Sequence, residues 1–464
     1  MSSNRSRQRE TAPVSKSEIK IPRPVALLIA AFLCPTEFSI YLESLRLPPH
    51  RIVLLILGPW AIWRLICQSN LKFRSFDALF ALFGLWTVGV FMHHLGAEEG
   101  LAYGGSLAVE GFGAYLVARV WVRTVRDFEA TLWAMGAAIA IAAVIALPET
   151  LFGQTFTHDA LRSLTGYVHP TAVETRLNLT RAYGSFDHPI HYGTFCAALL
   201  AMFWYAARSV RQSRKRAALL AGAAFLGLSS APILCLVLQG TMLAWEKFTR
   251  GMVSRTSISL AIVAGLYVGA SVVMTRSPIN LIATGLTLDS WTGYYRLQIW
   301  EHGLTNVFAN PWLGIGLSDW MRPWWMASST IDAFWLVVAM REGLPALALL
   351  LLSIAALMRA VVIRGLNCRD VNVRRLSRGW IMSIIALSLI GCTVHFWNVL
   401  HAFFFFVLGM AGWLADPARL RKAATARAAS ETPRTRTRSL RRLAYPAQLR
   451  PELLGYPSTA PLPA

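Results

Sequence analysis

The sequence predicts an all-α, polytopic integral membrane protein of about twelve transmembrane helices, with a large periplasmic loop that carries short helices. The first observation is composition: the chain is 55% hydrophobic and only 15% charged, and its mean hydropathy is +0.46, whereas soluble chains are about 25% charged. The second is that many apolar runs approach the roughly 20 residues that span a bilayer. Because lipid offers the backbone no hydrogen-bond partners, each span is expected to be a helix.

The apolar runs divide the chain into three parts. Residues 1–23 form a basic N-terminus that is expected to be cytoplasmic, 24–415 the membrane domain, and 416–464 a basic tail. The tail is rich in Arg, Thr, Pro and Ala and is predicted to be disordered, with anionic lipid as its expected contact. The twelve predicted spans are 24–41, 51–67, 76–92, 102–120, 129–147, 190–208, 216–229, 231–248, 256–274, 343–363, 378–394 and 398–415.

Loop charge supplies the third observation. Basic loops, such as Arg208–Arg216 and Arg364–Arg378, alternate with loops that are poor in Lys and Arg. Since basic loops stay in the cytoplasm, this alternation predicts cytoplasmic termini and outer loops at about 148–189 and 275–330. It also accounts for the net charge of +21 without nucleic acid as a partner, because no nucleic-acid motif accompanies the charge. The six cysteines form no CxxC, and no HExxH occurs, so no metal site is predicted.

The candidate chemistry lies in the two outer loops. Arg181 and Arg296 are expected outside the membrane, against the trend of the other basic residues. A guanidinium binds phosphate in a bidentate manner and keeps its charge at any relevant pH, so two converging arginines would suit a pyrophosphate. The alternative is that each arginine forms a structural salt bridge. The expected acidic partners in that case are Asp187, Glu301 and Asp332.

Glycines and tryptophans mark the second outer loop. A helix is predicted from Gly293 to Phe308, with Leu297, Trp300, Leu304 and Val307 on its apolar face and His302 on its polar face, ending at Asn310-Pro311. Such a helix would lie in the membrane interface. The amides of Gly314 and Gly316 either face an anion or form a flexible turn. The residues assigned to glycan binding, with interfacial anchoring as the alternative for the tryptophans, are Trp320, Trp324, Trp325 and His302.

The acidic residues Glu37 and Glu110 lie inside predicted spans. Glu37 and Glu110 are costly in lipid and are therefore expected to face a partner or a cavity. Glu37 is expected to pair with Arg46 or Arg51. Glu110 is expected to pair with a helix-facing arginine or to form hydrogen bonds while protonated.

Five motifs together resemble the O-antigen ligase and Wzy-type polymerase superfamily, most closely its exopolysaccharide polymerase branch. The resemblance covers roughly residues 24–415, and it departs from the family pattern at Asp332-Ala333, where polymerases often carry Asp-Asn, and at Arg341-Glu342, where Arg followed by an aromatic residue is expected. The motifs are PTEFSIY at 35–41, RAYGSFDHPI at 181–190, YRLQIW at 295–300, NPWLGIG at 310–316 and IDAFWL at 331–336.

The resemblance implies an enzyme of the bacterial inner membrane that polymerises undecaprenyl-pyrophosphate-linked oligosaccharide repeats at the periplasmic face. It implies no metal and no cofactor, since the lipid pyrophosphate is already a good leaving group. Arg181 and Arg296 would hold the pyrophosphate, and His188, Asp332 or Glu37 would orient or deprotonate the acceptor hydroxyl. Membrane lipids, a chain-length regulator and a flippase of the same pathway are the implied partners.

Two other functions remain open at the level of sequence. A ligase would transfer finished glycan to lipid A core or to protein. A secondary transporter or lipid flippase would show two similar halves and a substrate site at the bilayer midplane, and the sequence shows no internal repeat.

Overall fold

The computed structural model describes residues 20–42, 45–68, 71–166, 173–249 and 290–415. It is mostly helical (73%), which confirms the coarse prediction of a helical membrane protein. The predicted span at 256–274 and the predicted disordered tail at 416–464 lie outside the described residues.

The described residues contain fifteen α-helices and two short hairpins. The helices are α1 Arg23–Leu33, α2 Pro49–Cys67, α3 Ser75–Leu95, α4 Ala97–Ala108, α5 Ala114–Trp121, α6 Val125–Phe152, α7 Phe156–Thr165, α8 Pro189–Ala197, α9 Leu200–Ala206, α10 Val210–Phe225, α11 Ser230–Phe248, α12 Ser290–Ala309, α13 Phe334–Ala360, α14 Val371–Ile390 and α15 Asn398–Gly409. The strands are β1 Ile40–Leu42, β2 Leu45–Leu47, β3 Thr175–Arg176 and β4 Leu179–Thr180, and π-helical turns occur at Val109–Gly113 and Val361–Gly365.

Four of these helices are long and apolar enough to cross a membrane: α2, α3, α6 and α13 with its π-helical extension to Gly365. Helices α1 and α15 are apolar but shorter. Each predicted apolar run within the described residues overlaps a helix. The number of twelve spans nevertheless stays a prediction, because several of these helices are too short or too polar to be assigned as spans.

The first predicted span is shorter than expected. Helix α1 ends at Leu33, and a 3-10 turn follows at Thr36–Phe38. Pro35 has no amide hydrogen and disfavours helix in the residue before it, so the helix cannot continue through this point. The chain then forms the antiparallel hairpin β1–β2, in which Tyr41 pairs with Arg46. The apolar run 24–41 thus joins a helix, a turn and a strand, and the expectation of a purely helical fold misses both hairpins.

The buried Glu110 lies in the π-helical turn between α4 and α5, where it meets α2. The Arg51 guanidinium donates to Glu110 Oε1 from Nε at 3.0 Å and from Nη2 at 2.7 Å, and His50 Nε2 is 3.0 Å from the same oxygen. The expected pairing with an arginine is therefore observed. Because a π-helical turn inserts an extra residue into the helix, it changes the direction in which its side chains point.

The Arg119 side chain lies at the end of the predicted span 102–120, and it does not reach solvent. It is fully buried on α5, and its Nε donates to Asp77 Oδ1 on α3 at 3.0 Å. Its Nη2 also donates to the carbonyl of Lys72 at 3.0 Å. A buried arginine paired in this way ties the start of α3 to the end of α5.

Helix α12 confirms the predicted helix before Asn310, but its packed face differs from the predicted apolar face. Ile299, Gly303 and Val307 are buried, while Leu304 is exposed. A Cβ on Gly303 would lie 2.7 Å from Leu336 Cδ2, so this glycine lets α12 approach α13 closely. The three buried positions are four residues apart and therefore share one side of the helix. Helix α12 thus packs on α13 rather than lying alone in an interface.

Helix α13 is kinked at Gly343, whose φ of +84° and ψ of 171° are non-helical. The kink and Pro345, which has no amide hydrogen, remove the usual intrahelical donors from the carbonyls of Met340 and Arg341. A Cβ at Gly343 would lie 2.1 Å from the Trp312 carbonyl oxygen, so only glycine permits the chain to approach so closely here.

The loop after α12 supplies the missing donors. Its backbone runs beside the kink and makes three hydrogen bonds to α13. The bonds are Ile315 N to Met340 O at 2.7 Å, Gly316 N to Arg341 O at 3.1 Å and Leu344 N to Pro311 O at 2.8 Å. This pairing fixes the segment between α12 and α13, and with it the start of α13 beside Arg296.

Candidate active site

The segment from Arg181 to His188 is held by a buried carboxylate on α6. Glu149 Oε2 accepts hydrogen bonds from the amides of Tyr183 at 2.9 Å and Gly184 at 2.8 Å. Gly184 has a φ of +60°, a left-handed conformation that glycine adopts without strain. Bonds from backbone amides to a carboxylate are charge-assisted, so Glu149 fixes the loop firmly.

Arg181 is buried and directly follows strand β4, which leads into this segment. Its Nη1 forms an ion pair with Glu174, and its Nε lies 3.5 Å from the Gly227 carbonyl oxygen. Its Nη2 is buried and has no acceptor among the described residues. The partner of Arg181 is therefore Glu174, not one of the three acidic residues expected from the sequence, and one face of the guanidinium retains a donor.

Arg296 on α12 lies within electrostatic reach of both Asp332 and Arg181. Burial lowers the pKa of Arg296, the charge of Asp332 opposes that shift, and the charge of Arg181 adds to it. Its Nε is buried without an acceptor among the described residues. The structure thus brings together the two arginines that the sequence assigns to pyrophosphate binding, although they are more than a hundred residues apart in the chain.

Asp332 lies immediately before α13, where the Phe334 amide donates to the Gly391 carbonyl at 2.7 Å. Burial raises the pKa of Asp332, and the positive charge of Arg296 opposes that shift. A carboxylate with a raised pKa is a better proton acceptor than an ordinary surface aspartate. Asp332 is half-buried, so a bound hydroxyl can reach it.

His188 caps the N-terminus of α8. Its Nδ1 accepts a hydrogen bond from the Ile190 amide at 3.1 Å, so the neutral ring must carry its hydrogen on Nε2. Burial lowers the pKa of His188 to about 3, and the charges of His191 and Arg181 add to that shift. At neutral pH this histidine is therefore an uncharged hydrogen-bond donor. This geometry allows His188 to orient the hydroxyl of the acceptor sugar by donating a hydrogen bond. It leaves no free ring nitrogen with which His188 could act as a base.

Asp187, next to His188, fixes the loop to two distant elements. Its Oδ1 accepts from the Thr36 hydroxyl, and its Oδ2 accepts from Asn398 Nδ2 at 2.7 Å. Asn398 has a φ of +48°, which costs energy for a residue other than glycine. The contact joins the 3-10 turn after α1, the His188 loop and the start of α15 in one place.

Glu37 is bound to a side chain that the sequence did not indicate. Its Oε1 bonds to His158 Nδ1 on α7, and both side chains are buried. The expected pair with Arg51 is not formed, since Arg51 binds Glu110, while Arg46 donates to the Ser39 hydroxyl at 3.1 Å and to the Thr36 carbonyl at 3.2 Å. Burial lowers the pKa of His158, but the hydrogen bond and charge of Glu37 outweigh this effect and raise the pKa overall. This ion pair fastens α7 to the 3-10 turn, and the catalytic role of Glu37 stays a prediction.

The structure also corrects the prediction that the amides of Gly314 and Gly316 face an anion. The Gly314 amide donates to the Asn310 carbonyl at 3.2 Å, and the Gly316 amide donates to the Arg341 carbonyl. Neither amide has a hydrogen left for a phosphate. Both glycines have positive φ, and a Cβ at Gly314 would lie 2.4 Å from the Met340 carbonyl oxygen. They permit the close approach to α13.

The four residues assigned to glycan binding differ in accessibility. Trp320 is only 4% exposed, and its indole nitrogen donates to the Ser329 carbonyl at 3.0 Å, so it is a core residue and cannot stack on a sugar. Trp324 is 94% exposed and Trp325 is 38% exposed, so both remain available. His302 is half-buried on α12. It lies six residues after Arg296, so the two side chains leave the helix about 120° apart.

Some residues of this site had no clear signal in the sequence. Glu149 lies at the start of the first predicted outer loop and Glu174 lies within it, and only the folded chain shows that they bind the Arg181 segment. Among the described residues, no group of three or more His, Cys, Asp or Glu is arranged to hold a metal ion. A scan against protein-family models gives no match to this chain, and a search of curated proteins gives none either.

Proposed function

We propose that this chain is a membrane glycan polymerase of the O-antigen ligase and Wzy-type superfamily. It would act on undecaprenyl-pyrophosphate-linked oligosaccharide repeats and build an exopolysaccharide or O-antigen at the periplasmic face of the inner membrane. Two lines of reasoning support this proposal: the resemblance of the five motifs to that superfamily, and the arrangement of the arginines that two of these motifs carry.

The observation that carries the proposal is the pair Arg181 and Arg296. Arg181 is buried and Arg296 is half-buried, their charges interact, and each retains a buried nitrogen without an acceptor among the described residues. Two like charges out of water are costly unless opposite charge compensates them. Glu174 and Asp332 supply part of that compensation. A pyrophosphate would supply the rest and would accept the remaining guanidinium hydrogens.

The proposed reaction follows from these positions. The acceptor sugar's hydroxyl oxygen attacks the anomeric carbon that joins the growing glycan to its lipid pyrophosphate. The new glycosidic bond forms as the carbon–oxygen bond to pyrophosphate breaks, and the electron pair leaves with the lipid pyrophosphate. The hydroxyl proton passes to the Asp332 carboxylate. Arg181 and Arg296 stabilise the negative charge on the leaving group, and the Nε2 hydrogen of His188 orients a bound oxygen.

The test is gel analysis of surface polysaccharide in a strain that lacks the gene and carries variants of this chain. Arg296→Ala and Arg181→Ala should each abolish polymer while protein levels stay normal. Losing two charge-assisted hydrogen bonds removes about 3 kcal/mol or more, which is about a hundredfold in rate. Arg322→Ala is the matched control, because Arg322 bonds locally to Asp319 at 2.5 Å and to the Met326 carbonyl at 2.9 Å. Normal chain length in the first two variants would contradict the proposal.

The same gels separate the polymerase from a ligase. A strain without the polymerase makes single repeats, whereas a strain without a ligase accumulates long chains that stay unattached. The transporter alternative predicts that the purified chain moves substrate between compartments of a proteoliposome without forming glycosidic bonds. Longer glycans formed from purified lipid-linked repeats in such vesicles would exclude it.

A further inference from the structure

One loop contacts each part of the chain that carries a residue of the candidate active site. It joins α14 to α15 and comprises residues 391–397. Its Cys392 carbonyl accepts a hydrogen bond from the Trp300 indole nitrogen at 2.8 Å, and Trp300 lies about one turn of α12 beyond Arg296. The loop is therefore fixed to the helix that carries one of the two arginines proposed to bind pyrophosphate.

The loop is also bonded to the start of α13. The Phe334 amide donates to the Gly391 carbonyl at 2.7 Å and to the Val394 carbonyl at 3.1 Å. The Phe334 ring stacks on Phe396 of the loop, with the ring centroids 4.9 Å apart. Because Phe334 follows Asp332 by two residues, these contacts place the loop beside the proposed proton acceptor.

The end of the loop is fixed to α8 and to the segment before it. Asn398, the first residue of α15, donates from Nδ2 to Asp187 Oδ2 at 2.7 Å. His191 Nε2 donates to the His395 carbonyl at 3.1 Å. Contacts on both sides of Trp397 therefore hold this residue against the N-terminus of α8.

The Trp397 ring lies among histidines at this point. Its centroid is 3.6 Å from that of His191, 5.5 Å from that of His395 and 5.9 Å from that of His188. The Trp397 side chain is half-buried, so part of the indole stays accessible. This indole thus adjoins the group that is proposed to orient the acceptor hydroxyl.

The chemistry beside Trp397 suits a sugar. A sugar ring has an apolar face of C–H groups and a rim of hydroxyls. An indole offers a large, rigid apolar surface for that face, and His188, which is uncharged at neutral pH, offers its Nε2 hydrogen to a hydroxyl on the rim. The two side chains can therefore bind one sugar through both of its parts.

We propose that the acceptor sugar stacks on Trp397, which holds its attacking hydroxyl beside His188. This inference rests on the proposed glycan polymerase function and adds a residue that positions the acceptor sugar rather than the lipid pyrophosphate. A fixed orientation of the acceptor lowers the entropic cost of the reaction. Trp397 is not one of the tryptophans that the sequence assigns to glycan binding.

The experiment measures the binding of two probes separately to the purified full chain in detergent. The sugar probe is the free oligosaccharide repeat, released by mild acid from the lipid-linked single repeats of a strain that lacks the gene, and its binding is followed by saturation-transfer NMR. The lipid probe is undecaprenyl pyrophosphate. Trp397→Leu should weaken binding of the free repeat about fivefold or more and leave binding of undecaprenyl pyrophosphate within about twofold of the wild type.

Three further variants serve as controls. Trp397→Phe retains an aromatic face and should bind the free repeat within about threefold of the wild type. Trp133→Leu removes an exposed tryptophan on α6 whose ring contacts Arg216, and it should bind both probes like the wild type. Arg296→Ala should weaken binding of undecaprenyl pyrophosphate and leave binding of the free repeat unchanged.

Four results would overturn the inference. The first is a wild type that does not bind the free repeat, and the second is unchanged binding of the repeat by Trp397→Leu. The third is equal weakening of both probes in Trp397→Leu, which would mean that Trp397 acts through the fold. The fourth is an equal loss in Trp397→Phe and Trp397→Leu, which would mean that stacking on a flat ring does not hold the sugar.

Failure of the proposed function gives a different result from failure of this inference. If Arg296→Ala binds undecaprenyl pyrophosphate as tightly as the wild type does, the pyrophosphate site is wrong, whatever the sugar probe shows. If only Arg296→Ala behaves as expected and Trp397→Leu binds the free repeat normally, the pyrophosphate site stands and the role of Trp397 is wrong.

Discussion

Replacing Gly343 by alanine tests whether the kink in α13 holds the segment between α12 and α13. Its φ of +84° and ψ of 171° lie in a region that essentially only glycine adopts, so alanine there costs about 1–3 kcal/mol. The new Cβ would also lie 2.1 Å from the Trp312 carbonyl oxygen, so the loop must move away. That movement breaks three backbone hydrogen bonds worth about 0.5–1.5 kcal/mol each. The lower limits together predict a loss of about 2.5 kcal/mol.

The assay is unfolding of the purified protein in mixed micelles with increasing dodecyl sulfate, followed by circular dichroism. Gly240→Ala is the matched control, because Gly240 lies within the helix α11 and a Cβ there would meet nothing within 4 Å. It should be neutral or stabilise by up to ~1 kcal/mol. If Gly343→Ala unfolds at the same dodecyl sulfate concentration as Gly240→Ala, the kink does not fix this segment.

Two further predictions concern the packing around the site. Trp320→Ala should destabilise the protein by about 3–5 kcal/mol because it removes a buried ring, whereas Trp324→Ala should leave stability unchanged, as the same unfolding assay will show. The Glu37–His158 pair should make stability depend on pH, because the pKa of His158 is raised above its ordinary 6.5. Its contribution is fully present below pH 6.5 and is lost as pH rises through the higher folded value, so unfolding midpoints should fall in that window and His158→Gln should remove this dependence.

These two predictions can each fail in a defined way. Equal stability of the two tryptophan variants would mean that the ring of Trp320 is not packed in the core. A midpoint that does not change above pH 6.5, or one that changes equally in His158→Gln, would mean that the ion pair with Glu37 does not contribute to folding.

The sequence predicts those parts of the fold that depend on local patterns. The apolar run at 129–147 lies within α6, and the stop signal at Asn310-Pro311 matches the end of α12 at Ala309. The run at 24–41 misleads because hydropathy does not distinguish a helix from a strand that follows Pro35. Its last residues belong to the hairpin β1–β2.

The site is predictable only in part, for a related reason. The positions of Arg181 and Arg296 in loops of low basic content mark them individually, and the fold brings them together. The roles of Gly314 and Gly316 could not be read from a GxG motif, since the acceptors of the Ile315 and Gly316 amides lie on α13, beside a kink that sequence spacing does not show. Trp320 illustrates the same limit, because burial of one tryptophan and exposure of another within five residues depends on tertiary packing.

The central claim is that Arg181 and Arg296 together bind a pyrophosphate, and direct binding tests it most closely. Purified protein in detergent is titrated with undecaprenyl pyrophosphate and, separately, with undecaprenyl monophosphate. The wild type should bind the pyrophosphate more tightly, and Arg181→Ala or Arg296→Ala should each weaken that binding by about tenfold or more, while Arg322→Ala leaves it unchanged. Unaltered pyrophosphate affinity in both single variants would contradict the claim.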